Sequence, residues 1–174
     1  MAHKRILVIS DMHIPYQHQD AIKFLSEIKK QFKPDTIINI GDMLDFHAIS
    51  MHTHDPDLYS AGMELDRSKE YVKQLESIFP QMVEVDSNHS SLVYRRALKY
   101  GMSRQFLKDY GDFLGTKKWK WVDDLTLTMS NGQRCFFYSW TKCRYFKGIS
   151  NYGYVSSTRP LSYKVCYKLL GKPR

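Results

Sequence analysis

The chain opens with Ile6 to Ser10, a short continuous apolar run of the kind that forms a strand buried on both faces of a parallel sheet. Ala21, Phe24, Leu25, Ile28 and Phe32 then recur at helical spacing, one stripe of an amphipathic helix that ends before Pro34. Thr36 to Ile40 repeats the buried-strand pattern. From about Gly62 to Phe79 a second helix places Tyr71, Val72, Leu75, Ile78 and Phe79 on one face; Pro80 closes it, and Gln81 to Asp86 reads as a third strand. Strand, helix, strand, helix, strand is the order of right-handed crossovers around a parallel sheet. Helical spacing continues through Leu92 to Tyr100 and Arg104 to Tyr110. The period then changes. Trp119 to Val122 and Leu125 to Ser130 read as extended, and Asn131-Gly132 is a hairpin turn into Arg134 to Tyr138, so a second, antiparallel sheet is expected to begin here. Beyond Tyr138 neither period is sustained.

In an open parallel sheet, ligands bind outside the carboxyl ends of the strands. The first strand runs into Asp11-Met12-His13, the second into Gly41-Asp42-Met43-Leu44-Asp45 and the third into Asp86-Ser87-Asn88-His89. A carboxylate and an imidazole one residue apart offer a hard oxygen and a borderline nitrogen to one divalent ion. Asp42 follows a glycine that permits close backbone approach and is placed to bridge two ions. Asn88 adds a neutral oxygen, and His89 is left to act as acid or electrophile. Alone, each motif is an ordinary turn; in order, at the ends of three successive strands, they point to one site.

This combination resembles the calcineurin-like metallophosphoesterase superfamily, whose pattern runs D-x-H, G-D-x-x-D, G-N-H-D/E, then a His-Gly and a G-H-x-H. The resemblance covers residues 5 to about 138. It implies an α/β fold, a two-sheet sandwich flanked by helices whose second sheet is incomplete here, and hydrolysis of phosphomonoesters or phosphodiesters at two divalent metal ions. It also implies Asp11 and His13 on the first ion, Asp42 bridging, Asn88 on the second ion, and His89 as proton donor or transition-state stabiliser oriented by Asp45. Manganese is the ion expected, with iron, zinc or nickel as alternatives; such a pair polarises phosphoryl oxygens and activates a bound water. Ser87 stands where the family has glycine and Ser90 where it has a carboxylate, which bears on the tuning of His89. Compact chains of this kind resemble bacteriophage-encoded members, some similar to DNA-repair nucleases and others to serine/threonine phosphatases. The expected partner is therefore a phosphoester, with DNA and phosphoprotein both open. Other candidates read as bland: His47, His52 and His54 as a solvated loop with Asp55 and Asp57, His3 and His18 as surface residues, and Arg95 and Arg96 as helix-surface arginines.

Composition adds limits. Hydrophobic residues make up 43% and charged residues 25%, and no apolar run approaches the ~20 residues of a membrane span. No membrane partner is expected. The N-terminal run is too short for a signal-peptide core, so the expected location is cytoplasmic, the host cytoplasm for a phage-encoded chain. Cys135, Cys143 and Cys166, an odd number without CxxC spacing, read as reduced thiols.

The net charge of +8 is unevenly placed: residues 139–174 hold eight Lys and Arg and no acidic residue, while residues 1–138 are balanced. All seven histidines lie at or before His89, so the C-terminal histidine motifs of the family pattern are missing. Reverse-translated and read one base out of frame, Ser139-Trp140 permits His-Gly and Arg159 to Tyr163 permits Gly-His-Tyr-His. The codons of Phe136-Phe137-Tyr138 would supply a thymine run where a slip is easy. On this reading residues 1–138 are an incomplete metallophosphoesterase domain, 139–174 are an out-of-frame, basic, tyrosine-rich tail without native structure, and the activity of this chain is impaired. The competing reading is a non-catalytic nucleic-acid-binding protein that uses the basic tail for phosphate contacts and base stacking.

Overall fold

The computed structural model describes residues 5–53, 55–130, 132 and 134–138, and the backbone of 166–170. Four strands, β1 (Ile6–Ser10), β2 (Thr36–Asn39), β3 (Val83–Val85) and β4 (Lys120–Val122), lie parallel in the order β4-β3-β2-β1. An edge strand, β7 (Cys166–Leu170), pairs antiparallel with β1. Between them, β5 (Leu125–Thr128) and β6 (Arg134–Phe137) form a separate antiparallel hairpin. The helices are α1 (Ala21–Phe32), α2 (Ala61–Ile78), α3 (Leu92–Lys99) and α4 (Tyr110–Leu114).

Successive strand residues face opposite sides, and β1 is buried on both. Leu7 and Ile9 pack with Leu25 of α1, Val72 and Leu75 of α2, and Phe79. Ile6 and Val8 pack on the other side with Ile38, Val85, Met129 and Phe137, which joins the hairpin to the main sheet. The unbroken apolar run of β1 is thus what a strand between two cores requires. Local signals set the helix ends. Lys33, left-handed at φ 48°, caps α1 with its N–H on Lys29 O, just before Pro34. Ser60 caps α2, its Oγ accepting from Met63 N. The result is the α/β two-sheet architecture expected.

Three details differ from the sequence reading. Trp119 to Val122 does not open the second sheet. Trp119 is buried with its Nε1 donating to Phe79 O at 2.8 Å, and Lys120 N donates to Met82 O at 2.9 Å, which draws β4 into the parallel sheet beside β3. The hairpin alone forms the second sheet among the described residues, turning at Gly132 (φ 82°), whose N–H reaches Met129 O. Arg104 to Tyr110 is not one helix. A 3-10 turn at Arg104–Phe106, capped by Ser103, is followed by extended Leu107 and Asp109 before α4 begins. Its apolar spacing is not matched by burial, since Phe106 is 80% exposed. The strands β2 and β3 are also shorter than Thr36 to Ile40 and Gln81 to Asp86.

The reading of 139–174 as a tail without native structure, and both alternate-frame motifs, fall on residues outside the described set except at β7. His3 and His54 also lie outside it. Among the described residues no helix is long and apolar enough to cross a membrane.

Candidate metal centre

Because β1, β2 and β3 are parallel neighbours, the loops at their carboxyl ends meet. The first two run side by side: Asp11 N donates to Gly41 O (3.2 Å), His13 N to Asp42 O (2.9 Å), Ile14 N to Met43 O (2.8 Å), and Asp45 N returns to Ile14 O (3.0 Å). Asp11 (φ 54°), His13 (φ 48°), Asp42 (φ 52°) and Phe46 (φ 55°) are all left-handed. That conformation costs a non-glycine residue on the order of 1 kcal/mol, and the cross-loop ladder holds it. Gly41 (φ 116°) makes the turn that brings Asp42 in, its N–H donating to Asn39 Oδ1 at 3.2 Å.

His13, Asp42 and His89 each offer a ligand atom, and these atoms lie within 4.8 Å of one another. Asp11 Oδ2 and Asp42 Oδ1 are buried and have no hydrogen-bond partner among the described residues. A buried carboxylate oxygen without a donor is costly, and a cation placed among carboxylate oxygens and imidazole nitrogens would remove that cost. The donor set suits a divalent first-row metal. Asp45 holds both imidazoles: its Oδ1 lies 2.6 Å from His13 Nδ1, and its backbone carbonyl lies 2.5 Å from His89 Nδ1. The two rings meet edge to face with centroids 4.8 Å apart. Burial pulls the His13 pKa down, but Asp45, Asp42 and Asp11 together outweigh it and leave the value above the ordinary 6.5.

A polar underlayer fixes the third loop. Asp42 N donates to Ser87 Oγ at 3.1 Å, Ser87 N to Ser90 Oγ at 2.7 Å, and Ser90 Oγ to Asp86 Oδ1 at 2.6 Å. The two serines that depart from the family pattern therefore bind the third loop to Asp42. Beneath them, Asn39 Nδ2 donates to the fully buried Glu84 at 3.4 Å, and burial pushes the Glu84 carboxyl well above its usual range.

The structure thus brings Asp11, His13, Asp42, Asp45 and His89 together. His89, read as a proton donor, offers a nitrogen to the same cluster as His13 and Asp42. Asn88 adjoins it, its carbonyl accepting from Ser91 Oγ (3.1 Å) and Arg95 Nη2 (2.7 Å). Asp45, read as orienting His89, meets both rings: its carboxylate bonds His13, and its backbone carbonyl meets His89 Nδ1, which also lies 3.8 Å from the carboxylate. Arg95 is exposed on α3, as expected of a helix-surface arginine, whereas Arg96 donates to the carbonyls of Ile49 and Ser50 and so fastens α3 to the loop after β2. In that loop His47 Nε2 accepts from Asp55 N at 2.9 Å, and His52 is exposed. Glu64 was not singled out by sequence. It is buried and accepts from His47 N (2.7 Å) and Ala48 N (2.9 Å), pinning the same loop. A lone acid in the first turn of α2, near a histidine-rich loop, was the available signal.

A family model described as calcineurin-like phosphoesterase matches residues 4–169 of the chain. No curated protein matches.

Proposed function

The chain belongs to the calcineurin-like phosphoesterase family, hydrolases that act on phosphoester bonds, and on that premise we propose that it hydrolyses phosphomonoesters or phosphodiesters at a divalent-metal centre built on Asp11, His13, Asp42 and Asn88. The observation that carries this reading is the pair of buried, partnerless carboxylate oxygens on Asp11 and Asp42 beside the imidazoles of His13 and His89. Two ions, manganese foremost, would supply Lewis-acid polarisation of the phosphoryl oxygens and an activated water. The chain's own residues do the rest. Asp45 presents the imidazoles, Ser87 and Gly41 place Asp42, and His89 stands ready to protonate or stabilise the leaving oxygen.

No histidine follows His89, so the proposal includes an incomplete ligand shell and weak activity for the chain as written, with residues 139–174 read out of frame. The test is manganese-dependent hydrolysis of bis-p-nitrophenyl phosphate by this chain and by one from which a single base is deleted before codon 139. Activity rising at least about tenfold in the second chain, and falling again on His89→Ala with metal content kept, is the expected result. Equal activity in both would show the C-terminal histidines dispensable, and no metal-dependent activity in either would contradict the function.

A further inference from the structure

Residues 92–108 contain Arg95, Arg96, Lys99, Arg104 and Lys108 and no acidic residue. The same stretch carries the two most exposed large apolar side chains among the described residues, Phe106 at 80% and Tyr100 at 76%. Arg96 and Arg95 are engaged with the carbonyls of Ile49, Ser50 and Asn88, but the exposed aromatics do not help the fold, since each loses the burial that would stabilise it. Their combination is the chemistry of a single-stranded nucleic-acid track, in which cations follow the phosphates and aromatic faces stack the bases without regard to sequence. The position also fits. Helix α3 starts three residues after His89 and, at eight residues, leads ~12 Å away from the metal centre. Beyond it, a recess whose charged lining is Arg104 and Lys108 with Asp86 and Asp109, alongside Tyr94 and Tyr110, reaches back to the end of β3. Arg104 lies over the Tyr94 ring with its guanidinium carbon 5.5 Å from the centroid, a pairing of cation and π-face in the lining of that recess.

We propose that the surface formed by Lys99, Tyr100, Arg104, Phe106 and Lys108 binds single-stranded nucleic acid and leads its phosphodiester backbone to the metal centre. This rests on the phosphoesterase reading for its outcome at the centre, but the binding itself needs no metal. A phosphoprotein fits less well, because an isolated phosphate gives the exposed aromatics nothing to stack on.

The test is fluorescence anisotropy of the full chain with a labelled oligothymidylate of about 15 nucleotides in EDTA. Three variants are compared: Tyr100→Ala with Phe106→Ala; Lys99→Gln with Arg104→Gln and Lys108→Gln; and a tail control, Lys142→Gln with Arg144→Gln and Lys147→Gln. Removing the aromatics is expected to weaken binding at least about fivefold. Removing the three cations should lower the magnitude of the log–log salt slope by about 2. Both variants should keep the parent's melting temperature and its hydrolysis of bis-p-nitrophenyl phosphate. Parent-like binding by both surface variants, loss confined to the tail control, or equally tight binding of a phosphoserine peptide would each overturn the proposal. Surface-dependent binding in a chain without metal-dependent hydrolysis would uphold the surface and contradict the phosphoesterase reading, so the two failures are distinct.

Discussion

The carboxylate of Asp45 lies 2.6 Å from Nδ1 of His13. An ionised carboxylate there requires the proton on Nδ1, which leaves Nε2 as the ligand nitrogen and makes the ring more basic. Asp45→Asn keeps an acceptor and removes the charge. Manganese affinity, read by calorimetry, should fall about 10- to 100-fold, with the circular-dichroism spectrum unchanged.

His13 also sets a pH dependence. Its pKa is raised by Asp45, Asp42 and Asp11 against the opposing effect of burial, so below that value the ring is protonated and cannot ligate. Metal affinity should therefore decline as pH falls through a midpoint above the ordinary histidine value. In the metal-free protein the sign reverses. The raised value stabilises the fold below pH 6.5, and that contribution is lost as pH rises through the folded-state pKa. Parallel titrations of affinity and melting temperature check both directions.

Glu84 is fully buried, and burial raises its carboxyl pKa well above the ordinary value against the weaker opposing pull of the Asn39 hydrogen bond. A raised carboxyl pKa means that stability declines as pH rises from the unfolded value of 4.5 towards the folded one. Glu84→Gln keeps the shape and the acceptor and abolishes that decline. Its melting temperature should match the parent near pH 4 and exceed it by more than about 2 °C at neutral pH.

Ser87→Ala removes the acceptor for Asp42 N and Ser90 N, which lie 3.1 and 3.2 Å from its Oγ. A loss of about 1–3 kcal/mol in chemical denaturation is expected, together with weaker manganese binding, because Asp42 loses its anchor.

The strand ends and the meeting of Asp11, His13, Asp42 and His89 there were legible in the sequence because buried parallel strands are continuous apolar runs and their carboxyl ends sit together whatever the side chains. The path from Arg104 to Tyr110 was misread because its apolar residues keep helical spacing while Phe106 points outward. Trp119 to Val122 was assigned to the wrong sheet, since a short extended run does not reveal its partner; the bond from Trp119 Nε1 to Phe79 O decides it. The roles of Ser87, Ser90 and Glu64 depend on contacts across the fold that no local pattern encodes.

Calorimetric titration of manganese into the chain and into Asp42→Asn tests the central claim most directly. Asparagine tolerates the left-handed backbone of position 42, so the variant should keep the fold while losing the carboxylate that faces both His13 and His89. The account predicts measurable, weak binding by the parent and none by Asp42→Asn. No binding by the parent, or equal binding by both, would contradict it.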